Sequence, residues 1–265
     1  LANLTTGTRN VAIGWEAGEG LTTAERCIII GQNAAQATLT GDDNVIIGRE
    51  AGYDMTSGYN NNGVGNYTFQ ELTTGHSNTA FGFSAMQNTT TGYQNTAVGN
   101  LALETNTTGQ WNTCIGDNSG QQITGANLNS CLGHASGYEL TTGGNNLFLG
   151  HDAGRAASPS GSQTTGSDSI CLGNNSIGNA FIKVDWTVTS DRRDKTDIEP
   201  FNHGLSWINK LNPVTYRWDN RSDYEDGVPD GSKKGTQLNV GLIAQDELEV
   251  EKEHGYGDTP DNMLV

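Results

Sequence analysis

The sequence predicts an all-β repeat fold, a parallel β-roll or β-solenoid with 17-residue coils, followed by a smaller α+β segment. Three observations carry this. A glycine preceded by an apolar residue recurs at Gly14, Gly31, Gly48, Gly65, Gly82, Gly99, Gly116, Gly133 and Gly150, always 17 residues apart, with a tenth copy at Gly173. Each period is too short for an ordinary helix plus its turns. Composition then changes abruptly near residue 180, where a charge-poor, Gly-rich stretch gives way to a charge-dense one.

Within a period, the residue four before the glycine is usually Asn (Asn10, Asn44, Asn61, Asn78, Asn95, Asn112, Asn129, Asn146), and the residue one before it is Ile, Val, Leu or Phe. The residue two before it is small or apolar, as in Ala12, Ile46, Ala97, Cys114, Cys131 and Cys171. Seven before it stands a further glycine, as at Gly41, Gly58 and Gly75, which reads as a turn position needing positive φ. Each coil is therefore a short strand, a turn, a second short segment and another turn. Ala156–Gly166 adds six residues to the last interval and reads as a loop bulging from one coil.

A unit this small buries nothing alone, so copies stack with equivalent strands parallel and about 4.8 Å apart, giving a rod of roughly 45 Å. Adjacent strand residues point to opposite faces, and here both faces are apolar. One fills the coil; the other needs a cover, and the simplest cover is the same chain again in a symmetric homo-oligomer.

The chain has 265 residues, 36 Gly, 14 Lys+Arg against 30 Asp+Glu, and net charge −16. The acidic balance disfavours nucleic-acid binding and docking on anionic membranes. No apolar run approaches the roughly 18 residues needed to span a bilayer. Four cysteines without Cys-x-x-Cys spacing make neither a disulfide scaffold nor a metal knuckle. Leu1 is no initiator, so the sequence is expected to be part of a longer chain.

The first 180 residues carry 4 basic and 13 acidic residues, the last 85 carry 10 and 17, and four of the five prolines (Pro200, Pro213, Pro229, Pro260) lie in the second part. This places domains at 1–178 and 190–265 with a junction strand over 179–189. In the second, Phe201–Leu211 has helical apolar spacing ended by Asn212-Pro213. Val214–Trp218 alternates as a strand, Asp219–Gly235 is an acidic loop, Val240–Ala244 reads as a buried strand, and Gln245–Glu253 starts a helix.

Strings such as NTAFG (78–82), NTAVG (95–99) and NTCIG (112–116) resemble the repeats in head domains of trimeric autotransporter adhesins and in phage tail fibres. That resemblance implies three chains side by side in a trimeric β-roll. The ordered motifs SDRRDKTDIEP (190–200), LNPVTYRW (211–218) and VGLIAQDE (240–247) resemble the intramolecular chaperone domain of phage tailspikes, tail fibres and endosialidases. This second resemblance implies a chaperone that trimerises its fibre and then cuts itself off with a Ser-Lys dyad. Ser190 would be the nucleophile, Lys195 its general base, Ser190–Asp191 the severed bond, and Arg192 and Arg193 the charges that help Lys195 lose its proton. Asp191, Asp194 and Asp197 oppose that loss, and Asp194 stands where the family has an apolar residue. Against the family's length, the segment ending at Val265 is expected to be incomplete.

Together the resemblances imply an external tail-fibre component of a virion, structural and adhesive, with partners in two identical chains, other tail proteins and a host polysaccharide or protein receptor. They imply no cofactor, no nucleic acid and no membrane insertion. The alternatives are a bacterial trimeric surface adhesin and, with less behind it, a polysaccharide depolymerase, since the repeats hold no fixed pair of carboxylates.

Other residues bear on function less directly. His134 and His151 occupy equivalent places in successive coils, with Asp117 one coil earlier, and read as a polar surface ladder in preference to a metal site. Cys114, Cys131 and Cys171 read as core thiols. Trp15, Trp111, Tyr53, Tyr59, Tyr67, Tyr93 and Tyr138 near turns fit either a sugar-binding surface or caps over the coil interior.

Overall fold

The structure is a computed structural model that describes residues 3–180, 207, 209–219, 224 and 228–253. The chain divides into two units, Leu1–Lys183 and Val184–Val265.

The first unit is a β-solenoid. Ten three-residue strands, β1 (Val11–Ile13), β2 (Ile28–Ile30), β3 (Val45–Ile47), β4 (Asn62–Val64), β5 (Thr79–Phe81), β6 (Thr96–Val98), β7 (Thr113–Ile115), β8 (Ser130–Leu132), β9 (Leu147–Leu149) and β10 (Ile170–Leu172), form one parallel sheet in chain order. Register follows the sequence period: Ile29 pairs with Ile46 and Ala97 with Cys114. The step from Phe148 to Cys171 spans 23 residues without shifting the pairing. Its extra residues leave the coil as turns and bends over 155–168. The far side of each coil is built of turns, and neighbouring turns still exchange backbone hydrogen bonds, as from Gly52 N to Thr68 O and from Asp54 N to Gln70 O, both 2.9 Å.

The second residue of nearly every strand points inward and is sealed, from Ile29 through Ile46, Ala80, Ala97, Cys114, Cys131 and Phe148 to Cys171. Residues three, four and seven after the coil glycine complete the interior, among them Ala34, Ala51, Phe69, Leu72, Met86, Leu103, Ile123 and Leu140.

Strand centre and fourth residue complement each other in volume within a coil. Ile46 faces Gly52, Gly63 faces Phe69, and Phe148 faces Gly154. A Cβ on Gly63 would lie 2.7 Å from the Phe69 ring, and one on Gly154 2.4 Å from the Phe148 ring. Ala80 with Met86 and Ala97 with Leu103 continue the pattern of small against large. Native cores are filled to crystal-like density, so in these coils the bulky group stands at one of two places.

The glycine seven before the coil glycine corrects the sequence reading. It is absent from the positive-φ positions. It is needed because coils approach too closely for a side chain: a Cβ on Gly41 would sit 1.9 Å from Gly58 O, and one on Gly58 2.6 Å from Gly75 O. Positive φ falls instead on the coil glycine itself, for example +141° at Gly82, and on non-glycine residues five before, two after and four after it, such as Asp43, Glu50 and Phe69. Each non-glycine residue there costs about 1–2 kcal/mol. The inter-coil hydrogen bonds and packing impose these conformations against local preference.

In the second unit, β11 (Val214–Tyr216) pairs antiparallel with β12 (Asn239–Gly241), and the helix α1 (Ala244–Glu253) follows. Trp207 is helical and Lys210 N donates to its carbonyl at 2.9 Å, so the turn comes just before Asn212-Pro213. The expectation of a buried strand over Val240–Ala244 is not met: the strand is a two-stranded ribbon and Val240 is 75 % exposed. A ribbon has only one partner strand, so an apolar run alone does not bury it.

Candidate functional site

The residue types that recur once per coil become continuous ladders along the solenoid. The most regular is the buried asparagine ladder. Asn78 shows its logic: its Oδ1 accepts from Asn95 N (3.0 Å) and Asn95 Nδ2 (3.2 Å), while its Nδ2 donates to Asn61 Oδ1 (3.1 Å) and Gly92 O (2.9 Å). All its polar capacity is used inside the protein, which is what buried polar groups require. The same bonds repeat at Asn95, Asn112 and Asn129. A threonine ladder runs in parallel, with Thr73, Thr90 and Thr107 Oγ1 each donating to the carbonyl one coil on.

Sequence reasoning found the asparagine period but not its bonds, and it overlooked Cys27, which occupies a ladder position. The Cys27 thiol lies 3.4 Å from Glu25 O and 3.6 Å from Gly41 O, and burial pushes its pKa up. Cys114, Cys131 and Cys171 are buried and free, as core thiols should be. Burial, with the neighbouring Cys131 thiol, holds Cys114 well above the ordinary thiol range and therefore protonated.

The last residue of every strand forms a different column. Ile13, Phe81, Val98, Ile115, Leu132, Leu149 and Leu172 are all exposed in this chain, Ile13 by 58 % and Leu132 by 47 %. With Ile30, Ile47 and Val64 between them, they make an unbroken apolar stripe on the outer face of the sheet. A stripe this long exceeds the scattered apolar residues that a monomer ordinarily exposes.

Aromatic groups form shorter ladders. Tyr59 stacks on His76 (centroids 4.6 Å) and His76 on Tyr93 (4.9 Å), and Tyr93 meets Trp111 edge-on at 5.5 Å. Arg49 lies over Tyr67 and Arg155 over Tyr138. Stacking joins neighbouring coils, while Tyr59 and Trp111 at the two ends of the ladder stay exposed. Trp15 stands apart, 70 % exposed at the first coil.

His134 and His151 stack at 5.0 Å as the sequence period implies, with His134 Nε2 3.6 Å from Asp117 Oδ2. Near the other end, Arg26 gathers Glu25, Asp42 and Asp43, and its guanidinium holds the Asp43 carboxyl below the usual range.

Ser190, Asp191, Arg192, Arg193 and Lys195 lie outside the described residues. Among the described residues of that unit, a loop is organised by Asp219, which accepts from Tyr224 Oη at 2.6 Å and Gly231 N at 2.9 Å. Lys210 pairs with Glu253 at the end of α1.

No curated protein and no solved structure matches this chain. Residues 190–256 match the model of the family described as chaperone of endosialidase, so the chain joins a β-solenoid of 17-residue coils to a segment similar to that family.

Proposed function

We propose that this chain is the distal part of a homotrimeric fibre of virion tail-fibre type, structural and adhesive in its work. Three solenoids pack through their outer sheet faces, and the C-terminal segment registers the three chains during folding. One observation carries this reading: the unbroken apolar stripe from Ile13 to Leu172, half-buried to exposed along its length in the single chain. Burying such a stripe gains roughly 25 cal/mol per Å², and an identical stripe on an identical chain is its natural complement. The match to the chaperone of endosialidase supports the second half. Parallel pairing of near-identical coils tolerates slippage, and non-local pairing folds slowly, so a separate registering module has work to do.

The test is a double variant, Ile115→Asp with Leu132→Asp. Both side chains point out of the coil, so the far-ultraviolet spectrum of the solenoid should persist while the assembly falls to single chains. Retention of the wild-type mass would remove the stripe from the interface. On the same reading, the self-cut implied by Ser190 and Lys195 falls between Ser190 and Asp191. Ser190→Ala should then run as one uncut band on a denaturing gel where the wild type shows a processed one, and equal masses would mean the dyad is silent.

A further inference from the structure

Two exposed histidines and one aspartate meet where the regular coils end, before the 23-residue coil. His134, His151 and Asp152 each offer a ligand atom, and all three atoms lie within 4.8 Å of one another. The two rings stand in successive coils, held parallel by the period itself.

The hydrogen-bond pattern around His151 is mismatched in either neutral tautomer. Its Nδ1 lies 3.1 Å from Asp152 Oδ2 and 3.1 Å from Asn174 Nδ2. The Asn174 amide is oriented by its own Oδ1, which accepts from Ser176 N at 3.0 Å, so its NH₂ faces the ring. A protonated Nδ1 would donate to Asp152 but oppose the amide N–H. An unprotonated Nδ1 would accept from the amide but face the carboxylate, lone pair against lone pair.

A cation between Nδ1 and Oδ2 removes the clash of lone pairs in the second arrangement, taking the single Nδ1 lone pair in place of the Asn174 N–H. Ligands about 2.0–2.2 Å from a zinc-type ion in tetrahedral arrangement are about 3.4 Å apart, and Nδ1 and Oδ2 at 3.1 Å need to part by only a few tenths of an ångström to reach that spacing. The surrounding groups suit the same purpose. Arg155 Nη1 holds the other Asp152 oxygen at 2.6 Å, fixing the carboxylate while leaving Oδ2 free. Asp117 lies beside His134 Nε2 and can orient that ring, as carboxylates behind metal-bound histidines do. Both imidazoles are more than half exposed, so His134 can turn toward a shared ion without disturbing the core.

We infer that His134, His151 and Asp152 form a binding site for a divalent transition cation of the zinc type, bridging two coils of the solenoid. Every ligand belongs to one chain, so the site stands or falls independently of the trimer. Two nitrogens and one oxygen select such an ion over calcium or magnesium, which favour all-oxygen shells.

The test is calorimetric titration of the whole chain with zinc chloride, with thermal melting alongside. The wild type should bind one zinc per chain and melt several degrees higher with zinc present, because an ion that binds only the folded coils stabilises them. His151→Ala and Asp152→Asn should each weaken binding at least tenfold, whereas His76→Ala, several coils away, should bind as the wild type does. These side chains lie on the surface, and unchanged melting of the variants without zinc certifies their folding. Absence of zinc binding by the wild type, or binding that survives His134→Ala with His151→Ala, overturns the site.

Discussion

Ala97 and Val98 are neighbours in β6, yet one is sealed inside the coil and the other stands open on the outer face of the sheet. The contrast repeats at Cys114 and Ile115 and at Cys131 and Leu132. Inside, the column is small or adjusted in volume, backed by an asparagine ladder whose hydrogen bonds close within the chain. Outside, the column is as apolar as a core but stays half-buried to exposed in the single chain. The solenoid is thus complete along its axis and incomplete across it, which is the physical basis for reading the outer face as an assembly surface.

If the interior is self-sufficient, damage there should act on a single chain, and the largest damage should come from the ladder. Asn95→Ala removes the acceptor for Asn112 N and Nδ2 and the donor to Gly109 O and Asn78 Oδ1. Orphaning several buried polar groups at once should cost roughly 3–5 kcal/mol. Hydrogen exchange should accelerate first at amides in the coils on either side.

A smaller effect tests the volume complement. Gly63→Leu crowds the Phe69 ring and should destabilise by about 1–3 kcal/mol. Adding Phe69→Gly should recover most of that, since it recreates the arrangement of Ile46 with Gly52 and relieves a φ of +57°. If the second change deepens the loss, the two positions do not share one space.

The smallest effect sharpens the ladder from the other side. Cys27 interrupts the asparagine column between Asn10 and Asn44, so Cys27→Asn should stabilise the solenoid by about 1 kcal/mol, read as a higher denaturation midpoint.

Periodicity made the architecture legible: the spacing of Gly14 to Gly150 set the register of ten strands, and the alternation of Ala97 with Val98 set their two faces. What stayed hidden depends on three-dimensional closeness. Gly41 looks like any turn glycine until the carbonyl of Gly58 is seen against it. The left-handed backbone at Glu50 and Phe69 contradicts local preference and is imposed by neighbouring coils. The pairing of His151 with Asp152 escaped notice because adjacent residues on a strand-like path point apart, whereas here a turn with Asp152 at φ +55° brings them together. The motifs of the C-terminal segment were legible as a family resemblance, and the match over 190–256 agrees. The geometry of Ser190 and Lys195 lies outside the described residues.

The central claim, that the outer apolar stripe is covered by two further copies of the same chain, is tested most directly by the solution mass of the wild-type protein. Light scattering should give three times the 28.1 kDa of one chain. A particle of single-chain mass, with the solenoid intact by circular dichroism, would contradict it.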